Sequence, residues 1–199
     1  MNPSKSLVFA SNNAHKLEEV RRILSPREVF SLNDIGFHTE IDETGMTLEE
    51  NSMIKAEAVY NWLRENQRAD EFDIFADDTG LEIEALNGQP GVFTARWAGE
   101  PACDANNRKK ALAELADKTN RNARFRTVIT LIQRGRKQQV VGEVKGIIAT
   151  KEAGGNGFGY DSLFVPEGYD KTFAQLPAEV KNSISHRARA LAELAKIIK

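Results

Sequence analysis

Four short polar clusters hold the residues of this 199-residue chain whose types and spacing suit chemistry. Ser11-Asn12-Asn13 with Lys16 supplies hydroxyl, amide and ammonium donors directly after the apolar run Leu7 to Ala10. Placed at a helix N-terminus, such donors add to free N–H groups and a dipole that favour an anion such as phosphate. The same residue types also serve as ordinary helix caps. Asp42-Glu43 and Asp77-Asp78 put four carboxylates on what reads as two turns. Carboxylate oxygens suit Mg²⁺, which keeps waters and substrate phosphates in its shell, polarises phosphorus and helps to generate a hydroxide-like nucleophile. Acidic residues favour turns in any case, but Asp77 and Asp78 follow Ile74-Phe75-Ala76 with no polar buffer. Like charges there cost energy unless a cation or a proton offsets them.

The third cluster, Gly154-Gly155-Asn156-Gly157-Phe158-Gly159-Tyr160-Asp161, sets two aromatics and a carboxylate among glycines that admit close backbone approach. It is neither a Walker A loop, lacking Gly-Lys-Ser/Thr, nor a dinucleotide fingerprint, because a strand and not a helix follows it. Phe158 or Tyr160 can stack on a base; two core aromatics beside a turn is the competing reading. The fourth cluster, Lys181 with Ser185-His186-Arg187, can read an anion or a base edge, although a histidine there is often structural. His15, His38 and His186 share no ligand spacing, so zinc is rejected. The single Cys103 reads as a structural thiol.

These clusters need a scaffold. Leu7 to Ala10 reads as a buried strand and Lys16 to Leu24 as a helix, with Leu17, Val20 and Leu24 at helical spacing. After the polar turn IDETGMTLEEN, Thr47 and Glu50 form a capping-box pattern that opens a helix over Leu48 to Arg64, with Met53, Ala56, Tyr60 and Leu63 as its apolar stripe. Ile74 to Ala76 reads as a short strand ending in Asp77-Asp78-Thr79-Gly80; Leu81, Ile83 and Ala85 then alternate up to the hairpin signal Asn87-Gly88. A helix is expected over Asp104 to Ala116, two long strands over Ala123 to Thr150 joined through Arg134-Gly135-Arg136, and a strand over Ser162 to Val165. One last helix carries Ile184, Ala188, Leu191, Ala195 and Ile198. Helices interleaved with strands and hairpins give an α/β fold with a mixed sheet, and the long hairpin suggests a second lobe with a cleft beside it.

Composition sets the bounds. With 41% hydrophobic residues the chain furnishes one core-bearing domain, taken as residues 1–199. Lys plus Arg total 27 against 29 acidic residues, so no basic stripe for nucleic acid is expected. The N-terminal stretch has only a four-residue apolar run, short of a signal peptide, and no segment reaches the ~20 residues of a membrane span. The expectation is a cytoplasmic protein without nucleic-acid or membrane partners.

Taken together and in order, VFASNNAHK at 8–16, ETGMTLEENSMIKA at 43–56, FADDTGLEIEALNGQPGVFTARWAGE at 75–100, GGNGFGYDSLF at 154–164 and KNSISHRA at 181–188 make the chain resemble, along its whole length, the inosine triphosphate pyrophosphatases, or non-standard purine NTP pyrophosphatases. The resemblance implies a two-lobed α/β protein with a long mixed sheet, an active-site cleft between the lobes and a homodimeric assembly. It implies Mg²⁺-dependent hydrolysis of dITP, ITP and XTP to the monophosphate and pyrophosphate, which cleanses the nucleotide pool. Carried over by position, Ser11, Asn12, Asn13, Ala14, His15 and Lys16 hold the phosphates. Asp42, Glu43 and Asp78 are metal ligands, Asp78 is also the catalytic base, and Thr79 touches substrate. Phe158, Gly159, Tyr160 and Asp161 form the base site, and Lys181, His186 and Arg187 complete nucleotide binding. Two departures stand out: Asp42 where the family commonly has glutamate, and Asn12 and His15 where its phosphate loop more often has glycine. Similarly shaped Maf-like nucleotide pyrophosphatases and a catalytically idle nucleotide sensor are the alternative readings.

Overall fold

A computed structural model describes residues 6–198; the first five residues of the N-terminal stretch lie outside it. Seven strands form one mixed sheet in the order β2-β1-β3-β5-β6-β7, with β4 pairing on β3. β1 (Ser6–Phe9) runs parallel to β2 (Val29–Phe30) and to β3 (Phe72–Ile83), pairing Phe9 with Phe75. β4 (Pro90–Gly91) returns antiparallel on Leu81 and Glu82. β5 (Asn122–Gln133) and β6 (Arg136–Ile148) form the expected long hairpin through Arg134-Gly135, and β7 (Phe164–Pro166) lies antiparallel on β6.

The helices are α1 (Ala14–Leu24), α2 (Leu32–Ile35), α3 (Leu48–Glu65), α4 (Asp104–Glu114), α5 (Ala178–Ile184) and α6 (His186–Ile197). The α/β class with a mixed sheet is therefore as expected, and no helix among the described residues is long and apolar enough to cross a membrane. The described chain forms two compact units. The first takes the residues up to Asp78, 127–142 and those from Ala188 onward; the second takes Thr79–Arg126 and Glu143–Arg187. Two apolar clusters fill the first unit. One joins Phe9, Phe75, Val20 and Leu24 to Leu191 and Leu194, and the other joins Val8, Ile74 and Ala76 to Ala56, Val59 and Leu63. The second unit packs Leu81, Ile83 and Leu115 with Phe125, Tyr160, Phe164 and Phe173.

Four expectations need correction. Asp77, Asp78, Thr79 and Gly80 do not end a strand in a turn, because β3 runs on through them to Ile83. Each aspartate has a lysine partner, which removes the cost that would have ended the strand. The buried stripe of α3 is Leu48, Asn51, Ser52, Lys55, Ala56, Val59 and Leu63, rotated from the apolar count so that Met53 and Tyr60 are only half-buried. The last helix is two, since Ser185 leaves helical geometry (ψ 158°) and separates α5 from α6. On α6 Leu194 is buried and Ala195 exposed. The short β2 and α2 gave no usable periodicity and went unread.

Candidate active site

Capping chemistry builds the first unit's polar set. Asn13 caps α1, its side chain accepting from Lys16 N–H at 3.1 Å, and Ser11 Oγ accepts from Asn13 N–H at 3.2 Å. The residues expected to grip phosphate thus lead through the Asn13 cap into the first turn of an 11-residue helix. Asn12, Asn13, Ala14 and His15 are exposed, Ser11 and Lys16 half-buried. The parallel register of β1 on β3 sets this turn beside Asp77, and Lys16 Nζ donates to Asp77 Oδ1 at 3.0 Å.

Strand alternation sends Asp77 and Asp78 to opposite faces of the sheet. Asp77 shares the face of Phe75 and meets α1, whereas Asp78 shares that of Ile74 and Ala76 and meets α3. There Lys55, only 7% exposed, donates to Asp78 Oδ1 at 3.1 Å and to Glu43 Oε2 at 3.0 Å. The loop carrying Glu43 is tied to the start of α3: Asn51 Oδ1 accepts from Gly45 N–H at 2.8 Å, and Glu50 Oε2 accepts from Met46 N–H at 2.7 Å. A Cβ on Gly45 would stand 2.6 Å from Asn51 Oδ1, so the tie requires glycine. The expected capping box is present, with Thr47 Oγ1 and Glu50 each accepting from the other's backbone N–H at 3.1 Å.

Glu43 and Asp78 share the one ammonium group of Lys55. Burial opposes the Lys55 charge, but Asp78, Glu43 and Asp77 together outweigh it and hold its pKa above the usual lysine value. Burial, with Glu43 adding to it, pushes Asp78 above the usual carboxyl range against the pull of Lys55 and Lys16. Asp78 Oδ2 is buried without a hydrogen-bond partner among the described residues. One orphaned buried oxygen, on one of two carboxylates that share a single ammonium, fits a further cation. Mg²⁺ commonly takes one or two carboxylates and completes its octahedron with water and substrate phosphate, so Asp78 with Glu43 suffices. No group of three or more His, Cys, Asp or Glu able to hold a metal is found among the described residues. Asp42 is exposed and is not brought to Lys55; Glu43 is.

The second unit holds the remaining expected residues. Asp161 is buried, and its Oδ2 accepts from Lys181 Nζ at 2.7 Å and Phe158 N–H at 2.9 Å. The Phe158 ring lies 5.0 Å from the Lys181 ammonium and 5.7 Å from the guanidinium of Arg187, which is 1% exposed. Arg187 Nη2 reaches Thr79 Oγ1 at 3.5 Å, the outer limit of a hydrogen bond. Gly157 has φ +79°, and a Cβ there would meet Asp161 Oδ2 at 2.1 Å. Two expected residues have other duties. Tyr160 is enclosed in the core, its hydroxyl donating to Thr94 C=O at 3.1 Å and its pKa raised by burial, whereas Phe158 is half-buried. His186 is buried and stacks on Phe125 at 4.6 Å, the structural role that a lone histidine often has.

Lys55 escaped the sequence reading, and Asp77, read among the four carboxylates, was given no partner there. The signal for Lys55 was available: Asn51, Ser52 and Lys55 interrupt the stripe completed by Val59 and Leu63, and a buried lysine needs a carboxylate.

Known proteins resemble this arrangement in sequence and in fold. Residues 7–197 match the model of the Ham1 family. A dITP/XTP pyrophosphatase of Flavobacterium psychrophilum is 48% identical over 97% of this chain and 98% of its own length, and one of Porphyromonas gingivalis is 46% identical over 96% and 95%. The structure of the Staphylococcus aureus Ham1 protein superposes with a TM-score of 0.84 at 39% identity, covering 96% of this chain and 97% of that one.

Proposed function

The chain belongs to the Ham1 family, and from that footing we propose that it hydrolyses non-standard purine nucleoside triphosphates, dITP, ITP and XTP, to the monophosphate and pyrophosphate with Mg²⁺. The observation that carries the chemistry is the buried, unpartnered Asp78 Oδ2 beside Lys55 and Glu43. A triphosphate brings about four negative charges, so its binding calls for fixed cations and N–H donors. The α1 N-terminus and Lys16 supply them. Asp78 and Glu43 would hold Mg²⁺, which when bound spreads the phosphate charge and makes phosphorus more electrophilic. Asp78, raised by burial, is the group suited to take a proton from the attacking water.

In the second unit, Phe158 offers a ring face to the purine. Hypoxanthine and xanthine present an O6 acceptor and an N1–H donor, whereas adenine presents an amino donor and an N1 acceptor. Lys181 and Arg187 donate only and ionised Asp161 accepts only, a polarity that matches the 6-oxo edge and opposes adenine. The test is pyrophosphate release from ITP at neutral pH with Mg²⁺ and with the metal chelated. Stoichiometric IMP and pyrophosphate, lost on chelation and restored by Mg²⁺, are expected. Equal rates without metal would remove Mg²⁺ from the reading, and release of orthophosphate alone would remove the pyrophosphatase assignment.

A further inference from the structure

Both backbone groups of Gly159, in the middle of the loop that bears Phe158 and Asp161, are held by side chains of one helix. Asp104 Oδ2 accepts from Gly159 N–H at 2.8 Å, and Arg108 Nη1 donates to Gly159 C=O at 3.0 Å. The two lie four residues apart on α4, hence on one face. Arg108 Nε also donates to Glu152 Oε2 at 2.8 Å, and Glu152 accepts from Ser162 Oγ at 2.9 Å, so one guanidinium joins the entry, middle and exit of the loop. The helix is itself anchored by buried Asn107, which accepts from Ala98 N–H at 2.7 Å and donates to Ala95 C=O at 2.8 Å. The grip answers a need, because four glycines between 154 and 159 give the loop many conformations to lose.

We infer that Asp104 and Arg108 are positioning residues that, by fixing the Gly159 peptide, set where Phe158 and Asp161 stand and so how tightly and selectively the purine is held. The inference rests on the base-site reading above. It carries a corollary: the N–H groups of Phe158 and Gly159 are both committed to carboxylates, so they do not read the base, and the donors toward it are side chains.

The test uses Arg108→Ala, Arg108→Lys, Asp104→Ala and Asp104→Asn in the full chain, with kcat and KM for ITP and ATP and the amide exchange of Gly159. Arg108→Ala is expected to raise KM for ITP about tenfold or more, leave kcat within about threefold, and lower the ITP-to-ATP ratio of kcat/KM. Arg108→Lys keeps the charge without the fork and recovers only part of the loss. Asp104→Asn keeps an acceptor and stays near wild type, whereas Asp104→Ala speeds exchange at Gly159 and raises KM. Unchanged KM and ratio in Arg108→Ala, or identical behaviour of the Ala and Asn variants at 104, overturns the inference. A wild-type enzyme indifferent to ITP and ATP refutes the base-site reading instead, and the exchange at Gly159 still reports whether the grip exists.

Discussion

Lys55→Met tests the charge arrangement around Asp78 through stability alone, without assuming any substrate. Methionine keeps most of the stem's volume on the buried stripe of α3 and removes the charge that serves Glu43 and Asp78. Taking one partner from a buried ion pair costs about 3 to 5 kcal/mol, because the charge left behind is uncompensated. The lower figure applies, since the Glu43 side chain is 34% exposed and Asp78 can take up a proton. For a chain of this size about 3 kcal/mol corresponds to a fall of ~6 to 12 °C in Tm near pH 7.5. The sign of the pH dependence follows from Asp78. Burial already holds its carboxyl above the usual range, and loss of Lys55 raises it further. A carboxyl raised in the folded state penalises folding above its folded pKa and ceases to do so below its unfolded value of about 4. The deficit of the variant therefore shrinks as pH falls through the folded pKa of Asp78. If Asp78 and Glu43 hold Mg²⁺ as proposed, the ion at neutral pH should shrink it too, by supplying the missing charge to the folded state only. Urea or thermal unfolding of both proteins between pH 4.5 and 8, with and without Mg²⁺, reads all of this. A deficit constant across pH and indifferent to Mg²⁺ would show that Lys55 only fills space, and the charge argument would fall.

Three further substitutions probe the two polar sets. Asp78→Asn should lower kcat for ITP by at least about 100-fold while the variant still binds the nucleotide, and near-wild-type turnover would remove Asp78 from the chemistry. Gly157→Ala places a Cβ against Asp161 at a left-handed φ and should lower both Tm and the preference for ITP over ATP; a wild-type preference would mean that loop shape does not set selectivity. Arg187→Ala should erode that preference about tenfold, near 1.4 kcal/mol, and an unchanged ratio with both rates lowered would assign Arg187 to phosphate.

Where sequence sufficed, the information was local. Asn13 caps α1, Thr47 and Glu50 close their box, and Arg134-Gly135 turns β5 into β6, because each signal involves residues within a few positions of one another. Where it did not, the deciding partner was distant. β3 continues through Asp77 because Lys16, 61 residues earlier, meets it, and through Asp78 because Lys55 does. The three-residue apolar run before Asp77 carries no trace of either lysine. The composition of the glycine loop did not tell which of its aromatics enters the core: Tyr160 does, to reach Thr94, and Phe158 stays half-buried beside Lys181. The break at Ser185 was masked by an apolar spacing that runs smoothly across it from Ile184 to Ala188. The grip of α4 on Gly159 was invisible for the same reason, its bonds spanning 51 and 55 residues.

The central claim is that the protein removes 6-oxo purine triphosphates that are not standard, and paired kcat/KM values for ITP and ATP at saturating Mg²⁺ test it most directly. With Arg187, Lys181 and Asp161 opposing the adenine edge as proposed, the ratio is expected to favour ITP by about 100-fold or more, equivalent to two mismatched hydrogen bonds at ~1.4 kcal/mol each. Each ITP consumed should yield one IMP and one pyrophosphate. A ratio near one, with both nucleotides turned over, would contradict the account.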